Sequence, residues 1–163
     1  MSGSPAPAPS PRDLVLDASV AVKWYIPEDL AAKARRFMAA RFAIHVPSFF
    51  AAECGNTLWK KSAQRREFDR GRGREIFDEI LAYPKRVHDA ETLASLAYDM
   101  AHDVGNARLA IYDFLYLALA VALDCPLVTA DRVFYDTLKK TNRHAPYLLW
   151  VADPIPDEED ATP

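Results

Sequence analysis

The sequence alternates short apolar runs with helix-length segments, and this alternation is its strongest constraint on the fold. Short β-type runs occur at 14–16, 44–46, 86–88, 126–129 and 147–151. Helices are predicted between them, at 18–25, 27–40, 48–64, 69–83, 89–102, 113–123 and 131–140. Strands separated by helices pair in parallel, because each helix returns the chain to the starting edge of the sheet. We therefore expect an α/β domain with a mostly parallel sheet of about five short strands.

The two ends of the chain differ from its centre in composition. Residues 1–12 are rich in Pro, Ala and Ser, and residues 155–163 contain an acidic run. Such segments bury too little apolar surface to fold, so we predict disordered tails at 1–12 and 155–163 around one domain at 13–154. The acidic run contributes four of the negative charges in a net charge of -3, so the domain itself is close to neutral.

The cysteines and the hydropathy indicate a cytoplasmic protein. Cys54 and Cys125 lie in apolar surroundings without metal-type spacing, as expected of reduced, buried thiols. The four histidines lack HxH or HExxH spacing, so zinc is not expected. The longest apolar run, 114–123, is too short to cross a bilayer, and the start of the chain lacks a signal peptide. No membrane partner is expected.

Four carboxylates lie in or beside apolar segments. Asp17 and Asp131 directly follow predicted strands, Glu53 lies on an apolar helix, and Asp113 opens another helix. Ligand sites in parallel sheets form beyond the carboxyl ends of the strands, so these side chains can converge. Closely spaced carboxylates repel one another, and a divalent cation such as Mg²⁺ or Mn²⁺ relieves that repulsion. An all-oxygen site of this kind suits phosphodiester hydrolysis.

A purely structural explanation fits some of these acids better than others. Asp113 and Asp131 each begin a helix, where a carboxylate stabilises the free backbone N–H groups. Glu53 follows Phe49-Phe50-Ala51-Ala52 on a helix that Ser48 is expected to cap, and no local role explains it. The metal hypothesis therefore depends most on Glu53.

Four segments resemble the signature segments of the PIN-domain nucleases: LVLDASVAVKWYIPE, PSFFAAECGNTL, YDFLYLALA and LVTADRVF. Each alone is a weak signal, but they follow the family's order over about 14–151, with eighteen residues from Asp113 to Asp131. The VapC-type toxins of toxin–antitoxin pairs are the part of the family that the chain most resembles. The Pro-rich N-terminal extension departs from the compact family pattern.

This resemblance implies a three-layer α/β/α domain and a metal-dependent endoribonuclease. It implies that Asp17, Glu53, Asp113 and Asp131 bind one or two Mg²⁺ or Mn²⁺ ions, and that a metal-activated water attacks an RNA phosphate. It also implies a cognate VapB-like antitoxin and a homodimer. The alternative from another functional class is a catalytically inactive PIN-like scaffold that binds RNA or a protein partner. Phosphotransfer folds fit less well, because a haloacid-dehalogenase-like phosphatase needs an acid at position 19, which is Ser.

Two further groups of residues are candidates for supporting roles. Ser19 and Thr129 lie two residues from Asp17 and Asp131, so they are candidates to orient those carboxylates or a metal-bound water. Asn56 lies one helical turn after Glu53 and is a candidate to position water or phosphate. A structural role, as turn-stabilising hydroxyls or part of a capped polar core, is an equal alternative for all three. A basic stretch between 60 and 74 is either a solvated face or a surface that contacts RNA phosphates. The RNA-binding candidates in it are Lys60, Lys61, Arg65, Arg66 and Arg70.

Overall fold

The computed structural model describes residues 11–155, and most of both predicted tails, 1–10 and 156–163, lies outside them. The strands are β1 (Arg12–Leu16), β2 (Phe42–Pro47), β3 (Arg86–His88), β4 (Leu127–Thr129) and β5 (Leu148–Trp150). The α-helices are α1 (Ala18–Lys23), α2 (Ala31–Arg35), α3 (Phe50–Trp59), α4 (Arg70–Ala82), α5 (Ala94–Val104), α6 (Ile111–Leu123) and α7 (Arg132–Leu138). Short 3-10 turns occupy Arg36–Met38, Glu91–Leu93 and Ala145–Tyr147, and Lys60–Gln64 form a π-helical turn after α3.

The five strands form one sheet in the order β3-β2-β1-β4-β5, and every pair of neighbours is parallel. From β1 the chain moves outward through β2 to β3, then crosses back to β4 on the other side of β1. The strand order therefore reverses between β1 and β4. In open α/β sheets, the carboxyl ends of the strands at such a reversal border a crevice that holds the functional site. The predicted fold class is confirmed.

Helices cover both faces of the sheet. On one face α1 packs against α3, and α3 packs against α4. On the other face α5 packs against α6, which lies across β1 and β2. Seven consecutive residues of α6, from 114 to 120, are buried, which explains why this helix is apolar on nearly every side. The result is a three-layer α/β/α arrangement.

Two predicted helices differ in detail from the structure. The helix expected at 27–40 is shorter, because Leu30 has a φ of 69°, in the left-handed region, and α2 begins only after it. Ser48 does not cap α3. Its hydroxyl instead accepts a hydrogen bond from the Ala90 N–H at 3.2 Å, and so ties the end of β2 to the segment after β3. Asp69 caps α4, accepting from the Arg72 N–H at 2.8 Å.

The edges of the folded domain can be compared with the predicted range 13–154. β1 begins at Arg12, and Ile155 is only 3% exposed within the core.

Cys54 and Cys125 are both buried and form no disulfide. Among the helices of the described residues, none has the length and apolarity needed to cross a bilayer.

Candidate metal centre and active site

The four predicted acids line one cleft of about 600 Å³ at the carboxyl edge of the sheet. Each comes from a different element. Asp17 joins β1 to α1, and Asp131 precedes α7 just after β4, so these two flank the reversal of strand order. Glu53 lies in the first turn of α3 and Asp113 in the first turn of α6. The structure thus brings together residues that are up to 114 positions apart in the chain.

Asp17 is held by hydrogen bonds to both of its carboxylate oxygens. The Ser19 N–H donates to Oδ1 at 3.0 Å, and the Thr129 hydroxyl donates to Oδ2 at 2.6 Å. The same Thr129 oxygen accepts from the Asp131 N–H at 3.0 Å, and the Ser19 hydroxyl accepts from the Ala130 N–H at 3.0 Å. These bonds connect the end of β1 to the end of β4, so Ser19 and Thr129 stand next to the carboxylates that they were expected to orient.

Glu53 is held by a side chain that the sequence did not single out. The Tyr116 hydroxyl donates to Glu53 Oε2 at 2.6 Å, and Tyr116 itself is 2% exposed. The Tyr116 ring packs edge-on against Phe49, with ring centroids 5.4 Å apart. A buried, packed hydroxyl fixes the direction of the Glu53 carboxylate without neutralising its charge.

Asp113 and Asp131 each use one oxygen to stabilise a helix start. Asp113 Oδ2 accepts from the Ala110 N–H at 2.8 Å, and Asp131 Oδ1 accepts from the Phe134 N–H at 2.9 Å. The capping explanation of these two acids is therefore correct as far as it goes. Within residues 11–155, however, the second oxygen of each accepts no hydrogen bond from the protein, as is also true of Glu53 Oε1.

Burial and mutual repulsion raise the pKa of three of these acids. Burial raises the pKa of Glu53 from 4.5 to about 7, against the Tyr116 hydrogen bond and with a contribution from the charges of Asp17 and Asp113. Burial likewise raises the pKa of Asp113 from 3.8 to about 6, helped by the charges of Asp17 and Asp131. The pKa of Asp17 is also raised, because its burial outweighs the hydrogen bonds from Thr129 and Ser19. At these three acids, burial and the neighbouring negative charges therefore outweigh the hydrogen bonds that favour the ionised form.

The chemistry of this donor set fits a divalent cation. Carboxylate oxygens are the ligands that Mg²⁺ and Mn²⁺ prefer, and a cation would offset both the burial and the mutual repulsion that raise these pKa values. Among residues 11–155, no three Asp, Glu, His or Cys side chains are already gathered into a complete metal site. Mg²⁺ usually retains several waters and is bound by one or two carboxylates together with substrate phosphate.

The basic stretch between 60 and 74 separates into parts with different surroundings. Lys61 is buried and Arg65 exposed, and both line the cleft. Lys60, Arg66 and Arg70 are exposed, and Arg66 has a φ of 52°. Further along α4, Arg72 pairs with Glu75 at 3.2 Å and Arg74 with Asp78 at 2.9 Å, as expected of a solvated helix face.

A four-residue ion-pair network forms one wall of the cleft. Lys23 Nζ contacts Glu28 Oε1 at 3.0 Å, and Lys61 Nζ contacts Glu28 Oε2 at 2.7 Å. Lys61 also contacts Glu67 Oε2 at 2.9 Å. The first three of these residues line the cleft itself. No sequence pattern distinguished Lys23 and Glu28, although both stand within the first of the four PIN-like segments.

The wall of the cleft that α3 provides differs from the prediction at one position. Asn56 is exposed and does not line the cleft, whereas Thr57 does. Positions four residues apart share a helix face more closely than positions three apart in this geometry, so Thr57 lies on the side of Glu53 that faces the cleft.

The protein is an α/β/α domain, and its carboxylate cleft lies where the order of its parallel strands reverses. These two features define its class. A model of the PIN domain family matches residues 14–140. The chain belongs to the PIN domain family. Among its relatives, Ribonuclease VapC3 of Pyrobaculum aerophilum is 30% identical over 121 residues, which cover 73% of this chain and 89% of that protein.

Solved structures share the fold. The crystal structure of Mycobacterium tuberculosis VapC20, described as a sarcin-ricin loop cleaving toxin, matches with a TM-score of 0.60 at 13% identity, over 76% of this chain and 93% of that one. The crystal structure of VapBC2 from Rickettsia felis, bound to a DNA fragment from their promoter, matches with a TM-score of 0.57 at 17% identity, over 85% of this chain and 98% of that one. At these identities the likeness establishes the fold alone.

Proposed function

We propose that this protein is a metal-dependent endoribonuclease and the toxin of a VapC-like toxin–antitoxin pair. The observation that carries the proposal is the cleft in which Asp17, Glu53, Asp113 and Asp131 meet from four separate elements. The relatives named as VapC ribonucleases support RNA as the substrate. The likeness to a VapBC structure supports a VapB-like antitoxin as the partner.

The four carboxylates would hold Mg²⁺ or Mn²⁺. When bound, such a cation supplies a Lewis acid that activates water and neutralises charge on a phosphodiester. The protein's contribution is to hold the carboxylates in fixed directions towards the cleft. Thr129 and Ser19 fix both oxygens of Asp17, and Tyr116 fixes one oxygen of Glu53. The oxygens of Glu53, Asp113 and Asp131 that accept no protein hydrogen bond within residues 11–155 are free to face the cation and the substrate.

The domain range 13–154, the cytoplasmic location and the homodimer belong to the same proposal. The buried free thiols of Cys54 and Cys125 suit a reducing compartment. The exposed residues Lys60, Arg66 and Arg70 are proposed to contact RNA outside the cleft, with Lys61 and Arg65 at its wall.

The test of catalysis uses Asp17→Asn and Asp113→Asn. Each variant is expected to lose at least about 100-fold of Mn²⁺-dependent RNA cleavage while its circular dichroism spectrum stays unchanged. Asp99→Asn is the matched control, because Asp99 is an exposed acid of α5 outside the cleft, and it is expected to cleave RNA normally. Cleavage by Asp113→Asn at the wild-type rate would contradict the assignment.

Two further measurements separate the proposal from the inactive scaffold. Calorimetry is expected to show Mn²⁺ binding to the wild type and much weaker binding to Asp17→Asn, whereas a scaffold would bind no Mn²⁺ at all. Expression in a bacterial host is expected to arrest growth, and Asp17→Asn is expected to relieve the arrest. RNA binding without metal binding or cleavage would favour the scaffold.

A further inference from the structure

One wall of the cleft is cationic, and ion pairs hold its charged side chains in place. Lys61 is only 8% exposed, yet its ammonium group lies at the cleft between Glu28 and Glu67. Glu28 binds Lys61 with one oxygen and Lys23 with the other. Arg65, also at the cleft, adds a longer contact of 3.7 Å to Glu67. Three cations and two carboxylates thus leave one net positive charge on this wall.

We infer that Lys23 and Lys61, aligned by Glu28, form a subsite for a backbone phosphate of single-stranded RNA beside the four carboxylates. The inference rests on the proposed ribonuclease function and names the residues that would hold the substrate there. Glu28 acts as a positioning residue, because it touches the two lysines rather than the phosphate.

The hydrogen-bond inventory supports this subsite. An ammonium group has three N–H donors. Within the described residues Lys61 uses two of them, on Glu28 and Glu67, and Lys23 uses one, on Glu28. Two donors of Lys23 and one of Lys61 are therefore left for a ligand in the cleft that both side chains line. A phosphate with its unbridged oxygens can accept all three.

Stability alone does not account for a buried lysine at this position. Removing an ammonium group and a carboxylate from water costs several kcal/mol per ion, and the resulting ion pair seldom stabilises more than a well-packed apolar pair. If this wall contributed only to stability, apolar side chains would therefore stabilise the fold equally well. The charge is kept where a polyanionic substrate must approach.

The lysines also avoid the four candidate metal ligands. Among the ion pairs of residues 11–155, none joins Lys23 or Lys61 to Asp17, Glu53, Asp113 or Asp131. Glu28 and Glu67 hold the ammonium groups on their own side of the cleft, so these groups do not compete with a cation for the carboxylates. The cleft is thereby divided into an anionic side for metal and a cationic side for phosphate.

The test measures RNA binding without cleavage. In an Asp113→Asn background, the affinity for a short fluorescein-labelled single-stranded RNA is followed by fluorescence anisotropy in Mg²⁺ between 50 and 200 mM KCl. Lys23→Met is expected to weaken binding about tenfold, as for a lost charged hydrogen bond, and to reduce the salt slope by about 0.7. Lys23→Arg keeps the charge and is expected to restore most of the affinity.

Lys33→Met is the matched control, because Lys33 is an exposed lysine of α2 outside the cleft. It removes the same charge and is expected to change the affinity less than twofold. If Lys23→Met and Lys33→Met behave alike, the subsite does not exist. Glu28→Gln makes the protein more positive, so a merely electrostatic wall predicts tighter binding. Loss of alignment predicts weaker binding, and tighter binding would overturn the positioning role.

Cleavage of the same RNA by the protein without substitutions is measured in parallel. If that protein does not cut RNA, the ribonuclease proposal itself fails. If it cuts RNA and Lys23→Met still binds like Lys33→Met, only the phosphate subsite is wrong.

Discussion

Glu53→Gln tests the idea that the metal-free cleft is under electrostatic strain. The folded protein holds the Glu53 proton more tightly than the unfolded chain does, because the pKa rises from 4.5 to about 7 on folding. The stability linked to this proton is therefore fully present below about pH 4.5 and is lost as the pH rises through 7. Glutamine keeps an oxygen that can accept the Tyr116 hydrogen bond but carries no charge. The stability of the variant therefore does not fall in this way as the pH rises through 7.

The magnitude follows from the size of the pKa change. A difference of that size corresponds to about 3 kcal/mol, which solvent screening of a half-buried side chain reduces to about 2 kcal/mol. Relative to the wild type, Glu53→Gln is expected to gain about 2 kcal/mol in free energy of unfolding between pH 5 and pH 8.5. With a typical urea dependence, this gain shifts the unfolding midpoint by about 1 M.

The assay is urea unfolding in EDTA at several pH values, repeated with Mn²⁺. Mn²⁺ is expected to stabilise the wild type at pH 8.5 and to stabilise Glu53→Gln much less, because the cation compensates a buried negative charge that the variant does not carry. Glu79→Gln, at an exposed acid of α4 outside the cleft, serves as the control. The reasoning is refuted if the difference between Glu53→Gln and the wild type is the same at pH 5 and pH 8.5.

Four further outcomes can be measured. Thr129→Val leaves Asp17 Oδ2 and the Asp131 N–H without their partner, so it is expected to lower the free energy of unfolding by about 1–3 kcal/mol. Calorimetry is expected to show Mn²⁺ binding weakened by roughly 10- to 100-fold. Unchanged Mn²⁺ affinity would contradict the orienting role of Thr129. Mn²⁺ affinity is expected to rise from pH 5.5 to pH 8 with release of protons, since the pKa values of Glu53 and Asp113 are about 7 and about 6, and a flat pH profile would exclude these two acids as ligands. Replacing both Arg66 and Arg70 with Glu is expected to weaken RNA binding and flatten its salt dependence, whereas an equal salt slope would reduce them to a solvated face. Leu117→Ala, at a fully buried residue of α6, is expected to cost about 2–5 kcal/mol in urea unfolding, against less than about 0.5 kcal/mol for exposed Val133→Ala.

The sequence predicted those parts of the site that depend on one element and its end. Asp17 and Asp131 follow strands directly, and the carboxyl ends of parallel strands meet at one edge, so their proximity follows from the fold class. Glu53 was recognisable as an acid on an apolar helix. The continuous apolar run at 114–123, without a polar face, is likewise typical of a buried helix, and residues 114 to 120 of α6 are buried.

The parts that depend on packing between elements were not predictable in the same way. The Tyr116 hydroxyl reaches Glu53 only because α6 and α3 lie on either side of the cleft, and an inward Tyr on an apolar helix looks like any core residue. Lys61 belongs to a basic run that resembles a solvated face. It is buried because the π-helical turn after α3 directs it towards Glu28, in the segment that precedes α2.

The hydrogen bond between Thr129 and Asp17 joins residues 112 positions apart and has a consequence for timing during synthesis. β4 must insert beside β1 before Asp17 acquires that partner and before Asp131 reaches the cleft. A growing chain that ends before residue 131 has three of the four acids at most, and its central strand has an open edge. During synthesis the site on the emerging chain is therefore incomplete, and the cleft can be completed only when most of the domain has left the exit tunnel of the ribosome.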